Sequence, residues 1–168
     1  MKVKAKNIVN QLGLIAHPEG GYYKENYRSD GEIAPSSLWK EANEPRNYST
    51  GIYFLLEKDQ FSAFHRIKQD EMWHHYLGGA LLLHVIDENG NYRKIKIGKD
   101  IQNNERLQYV VPANCWFASE LLDKDSFVLC GCTVSPGFDF RDFEMPNRDF
   151  LITQFPQHKV VISQLTHS

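Results

Sequence analysis

The chain has 168 residues, 42 % of them hydrophobic, and a net charge of −2 with acids and bases mixed along it. That length is the usual size of one domain with a sizeable core. The charge pattern offers no basic face for nucleic acid, and no apolar run approaches a membrane span. The basic start, Met1-Lys2-Val3-Lys4-Ala5-Lys6, runs into Asn7, Asn10 and Gln11 rather than into a signal-peptide core. Three cysteines without zinc-like spacing suit a reducing compartment, so a cytoplasmic protein is expected. Cys130 and Cys132 fall on one face of an expected strand and read as small buried apolar residues.

Lys4 to Gln11 reads as a short helix with Ile8 and Leu12 on one face and Gly13 as its C-terminal cap. His17-Pro18-Glu19-Gly20-Gly21 is a turn, and Tyr22 to Ser29 is a strand. A long polar loop from Asp30 to Asn47 leads to Ser49–Leu56, a nearly continuous apolar strand expected to be buried on both faces. Phe61 to Ile67 and Glu71 to Leu77 are strands separated by Lys68-Gln69-Asp70. Gly78-Gly79 ends the second. Leu81–Ile86 and Tyr92–Ile97 form a hairpin around Asn89-Gly90. Strands follow at Leu107–Val111, Cys115–Ser119 and Phe127–Val134. Pro136-Gly137 turns the chain, and Pro146 to Phe155 is a short helix whose continuation packs back. Many short strands with Gly, Pro and Asn-Gly turns predict an antiparallel sandwich or barrel. One domain over residues 1–168 is expected, with a helical lead-in at about 4–13, a barrel at about 20–145 and a C-terminal extension at about 146–168.

The stretch from His65 to Gly79 holds three of the seven histidines and two acids. Acids in an aromatic, strand-like run need a reason, because a buried charge is costly unless paired or metal-bound. The spacing resembles the first motif of the cupin superfamily: His65, then Ile67 where the motif has its second His, Glu71 three residues later, and Gly78 after six more. Pro112-Ala113-Asn114-Cys115-Trp116-Phe117 resembles the second motif, with Asn114 in place of Gly and Phe117 in place of His. His17–Tyr23, Ser49–Leu56, Asp70–His74 and Gly131–Phe140 resemble segments of the fifth cupin family, a domain of unknown function. The resemblance spans about residues 6–165. It implies an all-β double-stranded β-helix, or jelly-roll barrel of the RmlC-like kind, with short helices at both ends.

Metal-binding cupins hold their ion with the two His, the Glu and the last His, and this chain keeps two of those four groups. No metal or other cofactor is therefore expected. His65 and Glu71 would be joined by His74 if an ion did bind. Strict alternation puts Glu71, Trp73 and His75 on one face and His74 on the other, whereas the resemblance points to His74. A bulge would reconcile them. The expected catalytic residues are His65 and Glu71, read as a hydrogen-bonded pair in the barrel. The expected ligand-binding residues are His65, Glu71, His74, Tyr53 and Tyr23. Gly137–Phe143, alternating aromatic and charge, reads as a rim segment over a ligand or an edge strand meeting a partner. His84 reads as structural, and His17, His158 and His167 carry no signal.

The first expectation is a binder of a small molecule, a sugar or nucleotide-linked compound, inside the barrel. Alternatives are a carbohydrate epimerase or isomerase using His65 as base opposite a tyrosine, a metal-dependent enzyme rescued by His74 or His75, and a module without chemistry. Whether the protein is an enzyme stays open. No Gly-rich phosphate loop or Ser nucleophile elbow is present. A homodimer is expected, with no nucleic-acid or membrane partner, since cupins commonly pair through sheet edges.

Overall fold

The apolar runs become strands, and their alternation sorts side chains between two packed sheets. The computed structural model describes residues 4–167. Helix α1 (Ala5–Leu12) stops at Gly13, whose φ of 64° is left-handed and suits a residue without Cβ. Twelve strands follow among the described residues: β1 (Ile15–Ala16), β2 (Tyr22–Arg28), β3 (Glu32–Ile33), β4 (Arg46–Asn47), β5 (Thr50–Glu57), β6 (Phe61–His65), β7 (Asp70–Gly78), β8 (Leu81–Ile86), β9 (Tyr92–Ile97), β10 (Gln108–Val111), β11 (Trp116–Leu121) and β12 (Phe127–Ser135). Helices α2 (Arg148–Gln154) and α3 (Lys159–Gln164) end the described chain. None of these helices is long and apolar enough to cross a membrane.

A six-stranded sheet, ordered β1-β2-β5-β12-β7-β10, faces a four-stranded sheet, ordered β6-β11-β8-β9, and the pairings within both are antiparallel. This is the all-β jelly roll that the strand series and the resemblance implied. Phe54, Leu56, Trp73, Leu83, Phe117 and Cys130 belong to the core cluster between the sheets. Burying side chains of this size contributes about 1.5–3 kcal/mol each for the larger ones. Helix α1 lays Ala5 and Ile8 on Leu55 and Leu129 of the large sheet. The C-terminal helices lay Leu151 and Ile162 on Phe64, Ile86 and Trp116 of the small one.

Three expectations change. β5 is fully buried at Thr50 and Phe54–Leu56 but only half-buried at Gly51–Tyr53, because α1 covers one end of the sheet's outer face. The loop from Asp30 to Asn47 is tied by the short ladder of β3 with β4. The segment after α2 forms a second helix, where only a return onto the barrel was expected.

Candidate functional site

The core does not fill the space between the sheets. A cavity of about 460 Å³ remains, walled by the inner faces of β2, β5, β7 and β12, by the turn before β2 and by residues 138–143. His65, at the end of β6, lies at its wall, 3 % exposed. Its Nδ1–H donates to the Ala63 carbonyl at 2.7 Å, which fixes the tautomer. Its Nε2 meets Glu19 Oε2 at 2.9 Å. Burial alone would lower the His65 pKa and raise that of Glu19. The mutual charge and hydrogen bond overcome burial in both, so His65 is raised and Glu19 lowered. The two groups form an imidazolium–carboxylate pair.

Glu19 reaches His65 because its turn presses directly on β6. The Glu19 carbonyl accepts from the Ala63 amide at 2.7 Å. At Gly20, φ is +114°, and a Cβ would sit 2.0 Å from the Phe61 carbonyl oxygen, so only glycine fits. The Glu19 amide donates to His17 Nδ1 at 3.2 Å. His17 thus accepts at Nδ1, and burial lowers its pKa against the pull of Glu19, so it is a neutral wall residue.

Glu71 stands on the inner face of β7, in register with Val134, and the Cys132 thiol lies beside its carboxyl. Burial pushes its pKa up to about 7; His65 opposes that rise and Glu19 adds to it. Among the described residues Glu71 has no Lys, Arg or His within ion-pair distance, unlike Glu19. The expected His65–Glu71 hydrogen bond is therefore replaced by His65–Glu19. Glu71 acts on His65 only through its charge.

Residues 138–143 form a flap at the mouth. Phe138, Phe140 and Phe143 touch one another, with centroids 5.0–6.4 Å apart, and Phe143 lies 5.3 Å from the His65 ring. Asp142 pins the flap from below. It takes a bidentate contact from buried Arg46 at 2.6 and 2.7 Å and a third bond from Gln69 at 2.7 Å. Arg66 and Glu144 add a backbone bridge and an ion pair at 2.7 Å. Residues 137–143 thus take the rim role, one of the two readings that their sequence allowed.

The other site residues divide by face. Tyr23 lines the cavity, its ring 4.4 Å from that of His17. Tyr53 and His74 do not. Both are in register with Gly131, on the outer face of the large sheet. There the Tyr76 ring covers Gly131 and lies 6.2 Å from that of Tyr53, and His74 Nε2 meets Thr133 Oγ1 at 3.1 Å. A bulge does interrupt β7, at Tyr76 between the pairs His75↔Cys130 and Leu77↔Leu129. It comes too late to turn His74 inward. His75 keeps the inner register, with its Nε2 on the Gly79 carbonyl at 2.9 Å.

The metal-cupin donor set does not fit here. Phe117 pairs in register with His65 and lays its ring 4.1 Å from the imidazole, where a ligating His would stand. Ile67 lines the cavity in place of the second His. Asn114 adopts φ 64° at the motif's glycine position, which Asn tolerates. Among the described residues no three His, Cys, Asp or Glu are arranged to hold an ion. Trp73, also in the cavity wall, has a buried Nε1 without a hydrogen-bond partner.

The sequence model of the family described as Cupin superfamily (DUF985) matches residues 6–146. The chain belongs to the cupin superfamily. Uncharacterized protein YML079W of Saccharomyces cerevisiae is 34 % identical over 146 residues, covering 82 % of this chain and 72 % of its own. Among solved structures, protein SO0799 of Shewanella oneidensis superposes with a TM-score of 0.89 at 37 % identity, covering 99 % of both chains. A hypothetical protein from Leishmania major gives 0.89 at 36 %, covering 99 % of this chain and 100 % of that one. Oxalate decarboxylase of Bacillus subtilis superposes at 0.55 with 15 % identity, over 89 % of this chain and 36 % of its own, a likeness of fold alone.

Sequence reading missed His17 and Glu19. The available signal was an acid held between Pro18 and Gly20-Gly21, a turn stiff enough to aim it.

Proposed function

We propose that this cupin binds a small organic molecule in the barrel cavity, against Glu71 and beneath the flap. The observation that carries the reading is Glu71, a buried carboxyl in the wall of an apolar cavity without a cationic partner among the described residues. Ligand pockets are typically apolar with a few placed polar groups, and about 300–1,000 Å³ is their usual volume. The His65–Glu19 pair shapes the wall and sets the local charge.

A second reading is favoured by the pKa of about 7 at Glu71, which suits a group that gives and takes a proton at neutral pH. On that reading the protein is an isomerase- or epimerase-like enzyme with Glu71 as its acid–base. His65 is a poor base, because both ring nitrogens are engaged. A nucleotide-linked ligand fits poorly, because Arg28 in the wall is already held by Glu25. A compact, unphosphorylated molecule fits better.

The test is a thermal-shift screen of small neutral, cationic and anionic compounds on the wild type and on Val134→Trp, which fills the cavity. At least one compound should raise the wild-type melting temperature and leave Val134→Trp unmoved. A wild type that responds to none, or a filled variant that responds equally, rejects the cavity as the site.

A further inference from the structure

We infer that the ligand of this cavity is an organic cation, a protonated amine on an apolar body, with its ammonium against Glu71. The inference rests on the binding reading above and names the class of molecule. Four carboxylates stand in the cavity wall, Glu19, Glu25, Glu71 and Asp139, against the cations Arg28 and His65. Both cations are engaged. Arg28 donates to both oxygens of Glu25 at 2.9 and 2.8 Å and spends further donors on Asn47 Oδ1 and the Phe138 carbonyl. His65 is held by Glu19 at 2.9 Å. Asp139 is satisfied by Arg141 at 2.9 and 2.7 Å. Glu71 alone among the four lacks a cationic partner within the described residues.

An anionic ligand would meet Glu71 with no free cation in the wall to hold it. It would have to strip Arg28 from Glu25 or His65 from Glu19. Breaking such pairs is costly, the more so for the buried one. Beside a neutral ligand burial goes on favouring the protonated form of Glu71, because the ligand brings no counter-charge. An ammonium supplies it, and the Glu19 carboxylate already offsets the imidazolium nearby. The rest of the wall suits the same ligand. Tyr23, Phe54, Trp73 and the three flap phenylalanines surround the space with ring faces and edges, and a cation over an aromatic face is attracted by the ring's negative face. Ile52 and Val134 give the apolar body its contact.

The experiment is calorimetric titration of the full chain with three probes of similar size: 2-phenylethylamine as its ammonium, 2-phenylethanol and 3-phenylpropionate. The ammonium should bind about tenfold or more tightly than the alcohol, and the carboxylate most weakly. Glu71→Gln should remove that advantage, bringing the ammonium to the affinity of the alcohol. Phe140→Leu, at the exposed mouth, should weaken the ammonium more than the alcohol and so tests the aromatic wall without touching Glu71. Equal or tighter binding of the alcohol or the carboxylate, with loss in Val134→Trp, overturns the cation while the cavity reading stands. Ammonium binding untouched by Glu71→Gln also overturns it. A wild type that binds none of the three at millimolar concentration overturns the cation, and silence across the wider screen overturns the cavity reading as well.

Discussion

Three acidic or basic side chains set the character of the cavity, and their environments push them in different directions. Glu71 has its folded pKa raised from 4.5 to about 7 by burial. It therefore contributes stability that is full below about 4.5 and lost as pH rises through about 7, by up to roughly 3 kcal/mol. Glu71→Gln is expected to flatten that loss, so its melting temperature should exceed the wild type's at pH 8 and match it near pH 4. Equal pH slopes in the two proteins reject the shift. The His65–Glu19 pair runs otherwise. The lowered carboxyl contributes stability that is fully present above the ordinary carboxylate value and lost as pH falls through its own pKa, and the raised imidazole contributes stability present below the ordinary imidazole value and lost as pH climbs through its own. The pair thus contributes most in the mildly acidic window between the ordinary carboxylate value of 4.5 and the ordinary imidazole value of 6.5. Glu19→Gln breaks a buried ion pair and is expected to cost about 3–5 kcal/mol by urea denaturation at pH 7. His65→Ala added to Glu19→Gln should cost less than the sum of the two single changes, and strict additivity would show that the pair is not coupled. His74→Ala and Tyr53→Phe, on the outer face, should leave ligand affinity unchanged.

At the level of elements, the flap and the turn before β2 do what the strands alone cannot. The strands supply apolar walls; the turn brings Glu19 and the flap brings three rings. Asp142→Asn weakens the clamp from Arg46 and Gln69, so amide hydrogen exchange over residues 138–144 should speed up while β5 and β12 stay protected. Unchanged exchange in the flap would assign its order to the Arg66–Glu144 bridge instead. The strands and most turns were legible in the sequence because period-two patterning and turn chemistry are local signals. His65 and Glu71 were legible for a similar reason, since their spacing is set by one short connection between β6 and β7, which crosses from the small sheet to the large one. Glu19 was not, because its partner lies far along the chain and no periodicity records such a contact. Tyr53 was misplaced by residue type and His74 by the family resemblance, each weighed above alternation, and alternation decides the face.

For the whole molecule, the outer face of the large sheet is only half covered. Helix α1 shields one end, and Tyr27, Tyr76 and Leu77 stay about half exposed beyond it. A homodimer remains our expectation, and light scattering should then give twice the chain mass; a monomer mass at micromolar concentration removes it. Mass spectrometry of metals on the purified protein should find far less than one divalent ion per chain, given Phe117 and Ile67 at the ligand positions. Stoichiometric metal would mean that Glu19 or Cys132 has been recruited as a donor. The three tryptophans are also distributed to a useful end. Trp39 lies under Arg46, and Trp116 lies under Arg66 on the side covered by the C-terminal helices. Only Trp73 is in the cavity wall, and its buried indole N–H has no acceptor. The protein therefore carries its own optical probe: a guest in the barrel should change the emission of one indole out of three, and Trp73→Phe should make the binding event dark.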